Sequence, residues 1–189
     1  MKSTAPKKQP EIVRRKLLEC CAQLLIEHGV SGLPLHAVAQ AAGVTKGGLL
    51  HHFPSKRHLI EAVYEDLLKV LDAEIDHAMN QDPIAFGRYT RAYLGTVFLP
   101  CKPANEQLWA ALASSTLTDS ELRARWAEWN NARLQRHQDT DSHPFLKIVR
   151  YAADGAWLDN LFTQDCPPSP EDRSNLYTAL IKMTQEPGQ

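Results

Sequence analysis

Thr45, Lys46, Gly47 and Gly48 stand together in the run AVAQAAGVTKGGLLHHFPSK, residues 37–56. Their types suit the recognition of phosphate. A threonine that starts a helix leaves free backbone N–H groups at an end where the helix dipole already favours an anion. The lysine adds a full positive charge. The two glycines remove side chains, so that end of the helix can approach a grooved partner, down to the edges of bases. Each glycine costs a helix about 1 kcal/mol relative to alanine. Two in one short helix trade local stability for close approach. The plainer reading of the same residues is a flexible turn.

Other reactive side chains are less organised. His51 and His52 are adjacent, so on a helix their rings diverge by about 100 degrees and chelate one ion poorly. A partner-facing role for at least one of them fits better. The four cysteines lie at 20, 21, 101 and 166. No C-x-x-C pair occurs, and four reduced thiols are expected rather than a zinc site or a disulfide framework. There is no phosphate loop after a strand, no H-E-x-x-H and no G-x-S-x-G. No catalytic residue, metal or cofactor is expected. Trp109, Trp126, Trp129 and Trp157 are all in the second half of the chain. They are core residues or the lining of a cavity between helices. Asp154, Asp159 and Glu128 are candidate counter-charges for a cationic ligand.

Helices must position these groups. After a polar basic stretch over 1–9, Val13, Leu17, Cys20, Cys21, Leu24 and Leu25 recur at helical spacing, and Gly29 fits the stop. Pro34 opens a second helix with Leu35, Val38, Ala39 and Ala42 inward, and Gly43 ends it. Thr45 caps a third, very short helix that finishes before Pro54. Ser55 caps a long fourth helix carrying Leu59, Ile60, Val63, Tyr64, Leu67, Leu68, Leu71, Ile75 and Met79. Ala39, Gly43 and Leu49 have the offsets of a helix-turn-helix. The small residue lets two helices cross, the glycine permits a left-handed turn, and the leucine anchors the second helix. Further helical patterns cover 84–99, 104–115, 119–136, 145–162 and 171–183, with a polar loop over 138–143. The expected fold is all-α, with about nine helices.

Charge is distributed in the same sense. Residues 1–58 hold nine Lys/Arg against three Glu, a net +6, whereas residues 59–189 hold twelve against nineteen acids, a net −7. A basic end on an acidic body points that end at a polyanion. No apolar run reaches the ~18–20 residues of a membrane span, and no secretory signal is visible, so a cytoplasmic protein is expected.

From Val13 to Leu68 the chain resembles the DNA-binding domain of the TetR family of regulators. The resemblance rests on the spacing of the first helix, Gly29, the run from Ala37 to Lys56 and the apolar fourth helix. It implies phosphate or base contacts at Thr45, Lys46, Gly47, His51, His52 and Lys56, and the close approach read from the glycine pair adds Gly48 to the DNA-facing candidates. Leu33 and Pro34 replace the family's Thr or Ser at the start of the second helix. Leu50 replaces its frequent Tyr and is suited to a thymine methyl instead. The implied organisation is a tail over 1–9, a three-helix helix-turn-helix domain over 10–58, and a helical ligand-binding and dimerisation domain over 59–189. The segment YAADGAWLDNLF, residues 151–162, is similar to a late helix of a branch containing repressors of drug-export genes. The expected function is a repressor that binds a palindromic double-stranded operator as a homodimer through its last two long helices. A small apolar or planar ligand, cationic ones included, releases it, with Trp109, Trp126, Trp129 and Trp157 as candidate lining. The rival class is a helical ligand-binding protein or enzyme whose helix-turn-helix reads no specific DNA.

Overall fold

A computed structural model describes residues 9–99, 103–163 and 168–185. Cys101 and Cys166, the basic stretch over 1–8 and the prolines at 100 and 167 lie outside the described residues. Ten helices and no strand occur among the described residues: α1 (Gln9–Gly32), α2 (Leu35–Ala42), α3 (Lys46–His52), α4 (Lys56–Gln81), α5 (Arg88–Phe98), α6 (Pro103–Thr118), α7 (Ser120–Arg136), α8 (Gln138–Asp141), α9 (Pro144–Phe162) and α10 (Pro170–Met183). Among the described residues no helix is long and apolar enough to cross a membrane.

The chain divides into two compact units. One takes the described residues up to Leu67 together with Pro103–Arg125; the other takes those from Leu68 to Leu99 and from Trp126 onward. In the first unit, α1 packs on α2 and α6, and α2 packs on α3. Its core is Leu17, Cys21, Leu25, Val38, Leu49 and Leu59, all with zero exposure. Burial pushes the Cys21 thiol up to about 12, so it behaves as a small apolar core residue rather than a nucleophile. Gly29 leaves the helical region (φ 65, ψ 176), and α1 kinks there and continues for a last turn to Gly32. Leu33, not Leu35, is the buried leucine at the entry to α2. The chain arrives at Pro34 extended (φ −93, ψ 111), which turns Leu33 inward before the helix starts.

The second unit is built on α5, packed against α8, α9 and α10. Two elements differ from the sequence expectation, for one reason. The pattern places the start of α5 at Ile84, but the helix begins at Arg88, after Gly87 at φ 69. Gly87 occupies the N-cap and has no side chain to accept the first N–H groups. Asp141 supplies the acceptor from elsewhere. Its carboxylate takes the backbone N–H of Tyr89 (3.3 Å) and of Thr90 (2.8 Å), and the hydroxyls of Thr90 (2.6 Å) and Thr140 (2.8 Å). The stretch expected to be a polar loop, 138–143, therefore holds α8, with Asp141 only 2% exposed. Arg150 of α9 completes the cluster by donating to the Thr90 hydroxyl (2.6 Å) and the Asp141 carbonyl (3.2 Å). A second buried cation, Arg133 at 1% exposure, is held by Asp72 and Asp76 of α4. The buried charged groups Asp141, Arg150 and Arg133 are hydrogen-bonded, as a low-dielectric interior requires, whereas the Tyr89 hydroxyl and His137 Nε2 are buried without a hydrogen-bond partner among the described residues.

Candidate nucleic-acid interface

The site is assembled around α3. Gly43 takes the left-handed conformation (φ 72, ψ 30) and donates its N–H back to α2, which turns the chain within three residues. Thr45 is extended (φ −77, ψ 159), and its hydroxyl accepts the N–H of Gly48 at 3.0 Å. That single bond caps α3, while the N–H groups of Lys46 and Gly47 at the helix start donate to no side chain among the described residues. Leu49, fully buried, fixes the helix to the core. The opposite face is solvent-exposed: Thr45, Lys46, Gly47, Leu50 and His51. Gly48, His52 and Lys56 are half-buried.

The glycines are not required by packing within the chain. A Cβ at Gly47 would meet nothing closer than 3.8 Å, and one at Gly48 would lie 3.4 Å from the Thr45 hydroxyl oxygen. Both are ordinary contacts, so the missing side chains leave space outside the molecule rather than inside it. His51 and His52 pack edge to face, 5.7 Å between ring centres. Among the described residues no group of three His, Cys, Asp or Glu side chains is placed to hold a metal. The Lys56 ammonium donates to the Ser31 carbonyl at 3.1 Å, which holds the start of α4 beside the end of α1. Ser55 caps α4 by accepting the His58 N–H at 3.3 Å.

Two basic residues near α3 were not singled out from the sequence. The Arg14 guanidinium lies over the ring of Phe53, the C-cap of α3, at 4.8 Å. The Lys16 ammonium lies beside the Gly43 turn, 3.8 Å from where a Cβ would stand there. Both come from α1. The basic run Arg14, Arg15, Lys16 marks charge, but its helical spacing alone does not say which member meets the turn.

The tryptophans have separate settings. Trp109 meets Tyr64 edge to face at 5.6 Å in the first unit. Trp126 and Trp129 of α7 lie 5.0 Å apart, and the Trp129 indole N–H donates to Asp72 at 2.7 Å. Trp157 is half-buried on α9. A cleft of about 390 Å³ opens in the second unit, and none of the four lines it. Its walls are Tyr93 of α5, Asn130, Asn131 and Leu134 of α7, the region of α8, and one side of α9. The Tyr93 hydroxyl donates to Asp154 at 2.5 Å. Burial pushes the Asp154 carboxyl above its ordinary value, and the Tyr93 hydroxyl and the charge of Arg150 oppose that shift. Burial beside the Asp154 charge raises the Tyr93 phenol well above its usual value, so it remains a donor.

A helix-turn-helix with a bared glycine face, on an all-helical chain, defines a class of DNA-binding regulator. Residues 17–63 match the family described as bacterial regulatory proteins, tetR family, and residues 87–185 match the tetracyclin repressor-like C-terminal domain. The chain belongs to the TetR family of transcriptional regulators. The HTH-type transcriptional regulator BetI of Vibrio campbellii is 26% identical over 161 residues, 79% of this chain and 80% of that protein. The HTH-type transcriptional repressor KstR2 of Mycolicibacterium smegmatis is 35% identical over 60 residues, 32% of this chain and 29% of that protein. Among solved structures, a TetR-family regulator from Rhodococcus sp. superposes with a TM-score of 0.69 at 23% identity, covering 93% of this chain and all of that one. The multidrug binding protein EbrR, in complex with malachite green, superposes at 0.71 with 18% identity, covering 95% of this chain and 99% of that one.

Proposed function

We propose that this regulator is a repressor that binds a palindromic operator as a homodimer and leaves it when a small molecule occupies the second unit. The observation that carries the reading is the outer face of α3. Thr45, Lys46, Gly47, Leu50 and His51 are exposed together, and the two glycines have no packing role within the chain. Lys46 and the N–H groups at the head of α3 meet phosphate. Leu50 and His51 meet base edges, and the glycines allow the approach. Lys56, with its contact to Ser31, sets the start of α4 at the flank of the same surface.

A seven-residue recognition helix reads too few base pairs to bind tightly alone, so two copies on two half-sites supply the affinity. The outer side of α9 suits such pairing, since Phe145, Ile148 and Phe162 are each at least half exposed. On α10, Leu176 and Met183 add exposed apolar surface. The ligand acts by binding one spacing of the two recognition helices better than the other. EbrR, with a similar fold, was solved with malachite green and with proflavin, and planar cations are one class to try here. The tryptophans report occupancy: Trp129 is next in sequence to Asn130, which lines the cleft. The protein works in the cytoplasm, where its DNA is, and carries out no catalysis.

The test is a gel shift on duplex DNA selected by the protein from a random pool. The expected result is a dimer on a two-fold symmetric sequence, with affinity falling steeply as salt rises. Selection of no common sequence would overturn the reading in favour of a helical ligand-binding protein.

A further inference from the structure

The charged groups facing the second-unit cleft are two cations, Lys147 and Arg150, and two anions, Asp141 and Asp154. They sum to zero, and two of the four are already committed. Asp141 accepts four hydrogen bonds and is buried, and Arg150 is spent on Thr90 and the Asp141 carbonyl. The remaining two are open. Among the described residues Lys147 makes no hydrogen bond or ion pair, and only the ring of Tyr151 lies near its ammonium, at 5.5 Å. Asp154 uses one carboxylate oxygen to accept from Tyr93; its other oxygen has no partner among the described residues.

Lys147 and Asp154 are seven residues apart on α9, nearly two turns. They therefore share one side of the helix, about 10 Å apart along it. Tyr151 lies between them on that side, and Leu134 of α7 also lines the cleft. The order along the cleft is cation, aromatic ring, anion. A ligand with one charge would pair with one end only, whereas a ligand carrying both charges gains a charge-assisted bond at each. Resting on the reading of this protein as a ligand-responsive regulator, we infer that the cleft takes a zwitterion: a carboxylate at Lys147, an ammonium at Asp154, and a short apolar spacer across Tyr151 and Leu134. Asn130 and Asn131 supply neutral donors and acceptors that tolerate either sign. A charge-assisted bond of about 2.8 Å at each end leaves roughly 5–8 Å between the ligand's charges once side-chain reach is included. That is the span of a straight-chain ω-amino acid of four to six carbons.

The experiment is calorimetric titration of the full-length protein with 4-aminobutyrate, 5-aminopentanoate and 6-aminohexanoate. Each is compared with the alkanoate and the alkylamine of the same chain length. The expected result is that the best ω-amino acid binds at least 10-fold tighter than either singly charged analogue. Asp154→Asn should lower that affinity to that of the alkanoate, and Lys147→Met to that of the alkylamine. Asp154→Asn keeps the side-chain shape and Lys147 is exposed, so both variants should melt as wild type. The inference is overturned if a singly charged analogue matches the ω-amino acid, if neither variant changes the selectivity, or if no member of the series binds below 10 mM. Gel shifts in the same solutions separate this from the regulatory reading. Binding with the expected selectivity but no release of DNA supports the ligand class and counts against release. DNA binding that an unrelated molecule reverses, with no ω-amino acid bound, overturns the ligand class alone.

Discussion

Gly47 is the residue at which fold and function separate most cleanly. A side chain there meets nothing closer than 3.8 Å within the chain, and replacing a helical glycine stabilises a helix by up to about 1 kcal/mol. Gly47→Glu should therefore leave the far-UV helical signal and melting temperature intact or slightly raised. It should also lower affinity for the selected operator by at least 100-fold, because on the proposed reading the carboxylate would project toward phosphate. Operator binding at wild-type strength would remove α3 from the interface. Lys46 is exposed at the head of the same helix, and on the proposed reading it acts by charge. Lys46→Ala should weaken binding to all duplexes alike and flatten the plot of log affinity against log salt by about one unit. A change in sequence preference at constant slope would show instead that Lys46 reads bases.

The helices differ in how they are terminated, and the differences have energetic consequences. α3 and α4 carry their own caps, Thr45 and Ser55, and α10 carries Ser169, whose hydroxyl accepts the Asp172 N–H at 3.0 Å. A local cap is worth about 1 kcal/mol. α5 starts on a glycine and borrows Asp141 from α8, which sits more than fifty residues further along the chain. Removing Asp141 strands two N–H groups and two hydroxyls in a buried place and leaves the Arg150 charge without its neighbouring anion. Asp141→Ala should cost about 3–5 kcal/mol in urea unfolding, since several donors are left without an acceptor and each buried unsatisfied group costs about 1–3 kcal/mol. Asp141→Asn, which retains an acceptor oxygen, should cost less than half of that. A loss below 1 kcal/mol for Asp141→Ala would mean that α5 caps itself another way.

For the whole molecule the open question is what covers the outer side of α9. Ile148 is 51% exposed and Phe162 78%. Exposed apolar residues are ordinary when scattered, but a row of them along one helix marks an interaction surface. Ile148→Glu adds a charge to the middle of that row without touching the buried residues Leu146, Val149 and Ala153 on the inner side. Light scattering should report the monomer mass of 21.2 kDa for the variant and twice that for wild type at micromolar concentration. Operator affinity should fall by at least 100-fold, since the two half-sites would no longer be bound as one event. A variant that stays dimeric would move the pairing surface elsewhere.

The sequence by itself determined the features whose partners lie within a few residues. The Gly43 turn, the Thr45 and Ser55 caps and the apolar stripe of α4 from Leu59 to Ile75 all depend on contacts between residues i and i+3 or i+4. The spacing of residue types therefore encodes them directly. The exposed face of α3 was legible for the same reason, because burying Leu49 turns Leu50 and His51 outward. The structure alone decided the rest. Residues 138–141 are too short and polar to form a helix on their own, since nucleating one turn is unfavourable, and they are held in place where Asp141 caps the start of α5. Arg14 and Lys16 were charges without an address until α1 docked beside the Phe53 cap and the Gly43 turn. The cleft brings Tyr93 to Asp154 across 61 positions, and neither residue type announces the pairing. Such sites are set by packing between distant elements, and the sequence pattern along any one helix records only which of its faces is buried, not which residue of another helix will meet it.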